Sequence, residues 1–129
     1  MLALDTNVLV RVLVDDPTAL DQCRTARQIV SEAGEVSVAQ IVQIETAWVL
    51  TSAYGLSRKS LCEVMAKLAA HPAFHLQRLS ILLAALQVFG DAHSDFADCM
   101  ILAESAAEGC ELATFDRKFA RLPGTLLVE

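Results

Sequence analysis

The feature of the sequence that most constrains its fold is an alternation of short apolar segments with longer segments of helical periodicity. The short segments have the character of strands: Met1 to Leu4, Glu35 to Val38, His75 to Arg78, Glu111 to Thr114 and Thr125 to Val128. Between them, apolar residues recur at spacings of three and four, as on one face of a helix. This order is typical of a parallel sheet covered by helices on both faces. The sequence therefore predicts a single three-layer α/β/α domain over residues 1–129.

Capping residues and glycines mark the expected ends of the helices. Residues suited to begin a helix precede four of the helical segments: Thr6, Asp16, Ser57 and Ser94. Glycines suited to end a helix follow four of them: Gly34, Gly55, Gly90 and Gly109. The helix that Gly55 would end is expected from Gln40 to Tyr54, and its predicted inward face consists of Ile41, Ile44, Trp48 and Val49.

The composition indicates an ordered, acidic chain that does not cross a membrane. Its 129 residues are 54% hydrophobic, and 16 acidic against 10 basic residues give a formal net charge of -6. A chain this apolar, with no charge block, is not disordered. The longest nearly continuous apolar stretch, Leu79 to Phe89, is well short of the ~20 residues that span a bilayer. Because the N-terminus lacks the basic start of a secretory signal, we expect a cytoplasmic protein.

The net charge by itself argues against a nucleic-acid partner, because an acidic protein offers no general attraction to phosphate. The distribution of the acidic residues weakens that objection. Five of the 16 are candidates for one functional cluster: Asp5, Glu45, Asp95, Asp98 and Asp116. The other 11 acidic residues nearly balance the 10 basic ones. Outside the candidate cluster the chain is therefore almost neutral.

Two of these acids follow predicted strands. Asp5 comes directly after the first strand, and Asp116 lies two residues past Thr114, where the fourth strand ends. Ligands of parallel α/β sheets bind outside the carboxyl ends of the strands, so both positions suit a binding site. Aspartate is also a common helix cap after a strand, and this alternative explains either residue equally well.

Glu45 and Asp98 share predicted helix faces with apolar residues. Glu45 lies four residues after Ile41 and three before Trp48, and Asp98 lies three before Ile101. A carboxylate buried on an apolar face is unfavourable unless it is paired or bound to a metal. These positions therefore favour a functional role for both acids.

Asp95 and Asp98 lie three residues apart in the first turn of one predicted helix. Two negative charges there also suit the helix dipole, which explains Asp95 without any further role. Unit charges ~4 Å apart repel by about 4 kcal/mol at an effective dielectric constant of ~20, so a cluster of carboxylates needs raised pKa values or a cation. A site of carboxylates without Cys or His suits Mg²⁺ or Mn²⁺.

Taken together, these segments resemble the PIN domain ribonucleases, most closely the VapC-type toxins of bacterial toxin–antitoxin pairs. The resemblance extends from Asp5 to Asp116 and depends on four motifs in order: Asp5-Thr6-Asn7-Val8, the isolated Glu45, Asp95-Phe96-Ala97-Asp98, and Thr114-Phe115-Asp116. Each motif is weak alone, but their order within one small α/β chain is specific.

The resemblance implies both a sheet and a metal site. The sheet would have about five parallel strands in the order 3-2-1-4-5, with Asp5 and Asp116 on neighbouring strands. Mg²⁺ or Mn²⁺ would be held by the catalytic acids Asp5, Glu45, Asp98 and Asp116, with Asp95 as a further member. Asn7 and Thr114 match positions that support the acids by hydrogen bonding, although both also suit turn and cap roles.

The implied activity is metal-dependent hydrolysis of RNA phosphodiester bonds by the toxin of a type II toxin–antitoxin pair. The implied partners are an RNA substrate, an antitoxin protein and a second copy of the chain. Arg117, Lys118 and Arg121 follow Asp116 and could contact RNA phosphates, or else form the solvated face of a short helix. Arg117 is the candidate substrate-binding residue among them.

Two alternatives to a ribonuclease remain. One is a module that keeps the PIN fold but only binds, and the intact set of acids argues against it. The other is a phosphatase of the haloacid dehalogenase type, which also begins with an apolar strand ending in Asp. That chemistry uses a second acid two residues on, where this chain has Asn7.

Overall fold

A computed structural model describes residues 1–129, and within it the chain divides into two compact units, Met1–Gln77 and Arg78–Glu129. The first unit contains β1 (Leu2–Ala3), α1 (Thr6–Leu13), α2 (Leu20–Ala33), β2 (Val36–Val38), α3 (Gln40–Ser52), α4 (Arg58–Ala70) and β3 (Phe74–Leu76). The second contains α5 (Leu79–Asp91), α6 (Phe96–Ala107), β4 (Leu112–Thr114), a 3₁₀ helix (Phe119–Arg121) and β5 (Thr125–Leu127). None of the helices is both long and apolar enough to cross a membrane.

Each unit has its own small parallel sheet. In the first unit β2 lies between β1 and β3, with Val36 opposite both Leu2 and Phe74. In the second unit β4 pairs with β5, and Leu112 lies opposite Thr125. The five predicted strands and their parallel direction are confirmed.

The prediction of one five-stranded sheet in the order 3-2-1-4-5 is wrong. The orders 3-2-1 and 4-5 occur, but in separate sheets, because β1 pairs only with β2 and β4 only with β5. Strands of two or three residues form few ladder hydrogen bonds, and both residues of β1 are exposed. Asp5 and Asp116 therefore follow strands of different sheets.

The central strand of the first unit supplies the middle of its core. Val36 and Val38 are fully buried, as are Leu9 of α1, Leu50 of α3 and Leu61 of α4. Each buried aliphatic side chain contributes about 2 kcal/mol to folding. The predicted start of α4 is confirmed because Ser57 caps it, and the apolar residues Leu61, Met65 and Leu68 of this helix are buried.

Glutamine side chains bind the ends of β2 and β3 to the start of α3. The buried Gln43 donates from Nε2 to the carbonyl oxygens of Gln77, at 2.9 Å, and Val38, at 3.3 Å. The backbone N–H of Gln40 donates to the side-chain oxygen of Gln77 at 2.8 Å. These bonds occupy backbone groups at the end of β2, just after β3 and at the start of α3, and sequence patterns gave no sign of them.

The predicted inward face of α3 is wrong. Ile41 is 63% and Trp48 68% exposed, whereas Gln43, Thr46 and Leu50 are fully buried. Apolar residues occur on nearly every side of α3, so their spacing does not distinguish a buried face from an exposed one. The result is a helix that presents large apolar side chains at its surface.

Three predicted helix starts also differ from the structure. Asp5 rather than Thr6 caps α1, and Asp95 rather than Ser94 caps α6. Helix α2 begins at Leu20 instead of Asp16 because the Asp16 carboxylate accepts hydrogen bonds from Thr18, at 2.9 Å from its N–H and 2.6 Å from its hydroxyl. Such a local turn competes with helix formation.

The same Asp16 carboxylate joins distant parts of the first unit. Its Oδ2 lies 3.2 Å from Arg11 Nη1 and accepts a hydrogen bond of 2.8 Å from the Tyr54 hydroxyl. Hydrogen bonds from Thr18 and Tyr54, aided by the Arg11 charge, lower the pKa of Asp16 to about 2. The ionised form of Asp16 therefore stabilises the folded state.

We expect Asp16→Asn to lower the melting temperature at neutral pH but not near pH 2. The folded-state pKa lies below the unfolded value of about 3.9, so the stabilisation is complete above about pH 4 and disappears as the pH falls toward 2. Thermal melts of both proteins across this range provide the measurement. Asp21→Asn is the matched control, because Asp21 is 96% exposed. A melting difference that persists at pH 2 would contradict this assignment.

Candidate active site

In the first unit, Asp5 lies at the junction of β1 and α1. Its Oδ1 accepts a hydrogen bond of 3.0 Å from the backbone N–H of Val8, which fixes the carboxylate at the start of the helix. The other carboxylate oxygen makes no hydrogen bond and the side chain is exposed. Asp5 is thus a helix cap that retains a free oxygen for a ligand.

Glu45 lies on the exposed side of α3, beside the first turn of α1. Its Oε1 accepts a hydrogen bond of 2.9 Å from the hydroxyl of Thr6. Sequence reasoning placed Glu45 on a buried apolar face, but its neighbours Ile41 and Trp48 on that face are exposed. Glu45 is therefore not a buried carboxylate, and burial does not support a functional role for it.

Thr6 is a site residue that sequence reasoning missed. It was interpreted as a helix cap, whereas its hydroxyl orients Glu45 across 39 positions of sequence. The available signal was the Asp5-Thr6-Asn7 motif itself, because Thr6 stands next to an acid of the candidate cluster. No local pattern points from Thr6 to Glu45.

In the second unit, Asp95 and Asp116 also cap the turns that follow them. Asp95 Oδ1 accepts from the N–H of Asp98 at 2.8 Å. Asp116 Oδ1 accepts from the N–H groups of Lys118 and Phe119 at 2.9 and 3.1 Å. No hydrogen bond occupies the other oxygen of Asp116. The Asp116 carboxylate is therefore fixed by one oxygen and open at the other.

Thr114 positions the backbone rather than the carboxylate of Asp116. Its hydroxyl oxygen accepts a hydrogen bond of 3.0 Å from the Asp116 N–H. Asn7 makes no hydrogen bond to any of the acids, and it lines a cleft of about 350 Å³ with residues of α1 and α2. Arg117 is exposed and forms no ion pair.

The pKa of Asp98 is affected by the other two acids of the second unit. Partial burial raises the pKa of Asp98, and the negative charges of Asp95 and Asp116 raise it further. Asp98 is therefore close enough to Asp95 and Asp116 for their charges to oppose its ionisation, and its side chain also forms a hydrogen bond with that of Asp95. A cation between them would relieve that repulsion, and oxygen donors of this kind fit Mg²⁺ or Mn²⁺.

No group of three or more His, Cys, Asp or Glu side chains in the structure is arranged to hold a metal ion. The donor chemistry nevertheless suits a hard divalent cation, because the repelling groups are all carboxylates and Asp116 keeps one oxygen free. Asp5 offers a free oxygen of the same kind in the first unit. The residues present are thus compatible with bound Mg²⁺ or Mn²⁺.

These features define an α/β protein in which exposed carboxylates follow the ends of parallel strands. The family model of the PIN domain matches residues 2–124 and thereby includes all five acids. The chain belongs to the PIN domain family. PIN domains are generally nucleases and typically use divalent metals. A comparison with curated proteins gave no match.

We expect Asp98→Asn to raise the melting temperature by a few degrees at neutral pH in the presence of EDTA. The ionised carboxylate opposes folding because it is partly buried beside two like charges. The raised pKa means that this penalty develops as the pH rises through the folded-state pKa, so the two proteins should converge in acid. Thermal melts at both pH values provide the measurement.

The control is Glu63→Gln, which removes an exposed acid from α4. It should leave the melting temperature nearly unchanged. If Asp98→Asn unfolds at a lower temperature than the wild type in EDTA, then Asp98 stabilises the fold and the repulsion is not its dominant interaction.

Proposed function

We propose that this protein is an endoribonuclease that hydrolyses RNA phosphodiester bonds with Mg²⁺ or Mn²⁺, as the toxin of a type II toxin–antitoxin pair. The observation that carries the proposal is the partly buried Asp98 carboxylate, whose ionisation the neighbouring charges of Asp95 and Asp116 oppose, in a member of the PIN domain family. Repelling carboxylates destabilise a fold, and a divalent cation is the simplest compensation for them.

The proposal assigns Asp5, Glu45, Asp98 and Asp116 to one metal centre, with Asp95 as a further ligand. Asp5 and Asp116 are held through one carboxylate oxygen by their own backbone turns, and Thr6 orients Glu45. A divalent cation bound there supplies a nucleophilic water and neutralises charge on the phosphate. Side chains fixed in this way need little reorganisation when the substrate binds.

The competing proposals have less support. A phosphatase of the haloacid dehalogenase type lacks its second acid, because Asn7 stands at that position and makes no hydrogen bond to any of the acids. A PIN-fold module that only binds would have no need of a partly buried carboxylate whose ionisation two neighbouring acids oppose. Cleavage of RNA compared with hydrolysis of a small phosphate ester separates these functions.

We expect Asp5→Asn and Asp98→Asn each to reduce RNA cleavage by about a hundredfold or more, because each removes a charge that holds the cation. The assay uses end-labelled single-stranded RNA with Mg²⁺ or Mn²⁺. Glu63→Gln, which changes an acid on α4, should cleave like the wild type. The assignment of these acids fails if the Asn variants remain fully active or if the wild type cleaves equally well in EDTA.

The chemistry of the products provides a second result from the same assay. With a cation held by these acids, hydrolysis would break the P–O3′ bond and leave a 5′-phosphate and a 3′-hydroxyl, which allows direct ligation to a 5′ adaptor. Attack by the 2′-hydroxyl would need a general base and acid, usually histidines, and would leave a cyclic phosphate. Fragments with 2′,3′-cyclic ends would contradict metal-assisted hydrolysis.

The proposal includes a homodimer and an antitoxin that covers the acids. Support comes from exposed large apolar side chains, including Ile41 and Trp48 on α3 and Phe115, which is 81% exposed. Such groups, when contiguous, mark interaction surfaces. We expect light scattering at tens of micromolar protein to give twice the mass of one chain. A purely monomeric mass would exclude the dimer.

A further inference from the structure

The second unit contains a pocket of about 400 Å³ between the segments 91–94 and 118–122. Its size lies within the range of natural small-ligand sites. Ala92 and Leu122 supply apolar lining, and the neighbouring Phe119 is buried and anchors the second wall. The pocket therefore has apolar lining on both walls and a buried anchor in the second.

The polar lining of the pocket is predominantly basic. Lys118 and Arg121 contribute two cations, neither of which forms an ion pair, and Asp91 contributes one carboxylate. His93 adds a ring that can donate or accept a hydrogen bond. In a chain with a formal charge of -6, this lining therefore carries two positive charges against one negative charge.

Both segments that line the pocket are adjacent to acids of the second unit. Ser94 on the first wall immediately precedes Asp95. On the second wall, the backbone N–H of Lys118 donates to Asp116 at 2.9 Å. An anion in the pocket would therefore lie close to the acids.

We propose that this pocket binds a phosphate group of the RNA strand, next to the nucleotides that are cleaved. The inference depends on the proposed ribonuclease activity and adds a binding site to it. Lys and Arg are the usual partners of RNA phosphates, and Arg can donate two hydrogen bonds to one phosphate. The neighbouring carboxylates repel a polyanion, so a strand that reaches them needs opposite charge nearby.

This site changes the expected role of the basic residues after Asp116. From the sequence, Arg117 was the candidate for substrate binding. The pocket is instead lined by Lys118 and Arg121, one and four residues further along. The inference assigns the phosphate contact to these two side chains.

The first experiment measures RNA binding without cleavage. Fluorescence anisotropy with a labelled ten-nucleotide single-stranded RNA and Mg²⁺ is carried out in an Asp98→Asn background. Adding Lys118→Gln or Arg121→Gln should weaken binding about tenfold, as expected for the loss of a charge-assisted hydrogen bond. Each change should reduce the slope of log affinity against log salt by roughly 0.7.

Lys67→Gln is the matched control, because it removes one exposed positive charge from α4 in the other unit. It should bind within about twofold of the parent. Equal losses in the three variants would show that only net charge matters and would overturn the pocket. Unchanged binding in all of them, or no binding of RNA by the parent, would overturn it as well.

A second experiment locates the phosphate. One uncharged methylphosphonate linkage is placed at each position of the same RNA in turn. With the pocket intact, one linkage close to the cleavage position should weaken binding about tenfold, and that loss should vanish in the Lys118→Gln/Arg121→Gln variant. Equal losses with and without the two cations would overturn the inference.

The outcomes separate this inference from the proposed function. If the wild type cleaves RNA but the pocket variants bind like Lys67→Gln, the pocket assignment fails and the ribonuclease stands. If no RNA is cleaved while the pocket variants still lose RNA binding, the ribonuclease fails and the phosphate site stands. A decaglutamate peptide tests the other kind of polyanion. If the pocket variants lose binding to this peptide but bind RNA like the parent, the occupant is an acidic protein segment and the inference is overturned.

Discussion

Backbone N–H groups at the starts of helices and turns need hydrogen-bond acceptors, and this need fixes the positions of three of the five candidate acids. Asp5, Asp95 and Asp116 each accept such hydrogen bonds through Oδ1. From the sequence, capping and ligand binding were alternative explanations for Asp5 and Asp116. The structure makes them compatible, because one carboxylate has two oxygens and the cap uses only one. The cap fixes the side chain before any ligand arrives.

The distribution of charge follows from this arrangement. In the second unit, partial burial raises the pKa of Asp98, and the charges of Asp95 and Asp116, which cap their own turns, raise it further. The same turns also bring Lys118 and Arg121 to the wall of a pocket beside them. A short segment after β4 therefore carries one carboxylate and three cations, two of them at the pocket, which would suit a surface that binds both a cation and a polyanion. The net charge of the whole chain gives no indication that positive and negative side chains are grouped locally in this way.

The parts of the fold that depend on local pattern were predictable. The Ser57 cap and the stripe Leu61, Met65 and Leu68 give α4 one apolar face, so its orientation follows from the sequence. Helix α3 is apolar on nearly all sides, and its exposed face at Trp48 could not be foreseen. The division into two sheets could not be foreseen either, because strands as short as Leu2–Ala3 do not reveal their partners. For the candidate site, the acids are a prediction from the sequence, whereas the Thr6 hydroxyl that donates to Glu45 could not be predicted because that contact is tertiary.

The exposed face of α3 has a practical consequence, because Trp48 is the only tryptophan in the chain. Its indole is 68% exposed and lies three residues after Glu45 on the same helix. The ring is already in water in the folded state, so unfolding changes its emission little. A macromolecule that covers this part of α3 would instead move the ring into an apolar environment and shift its emission to shorter wavelength. The native chain thus carries an unlabelled optical reporter of contacts at Glu45, and the same reporter is a poor choice for following denaturation.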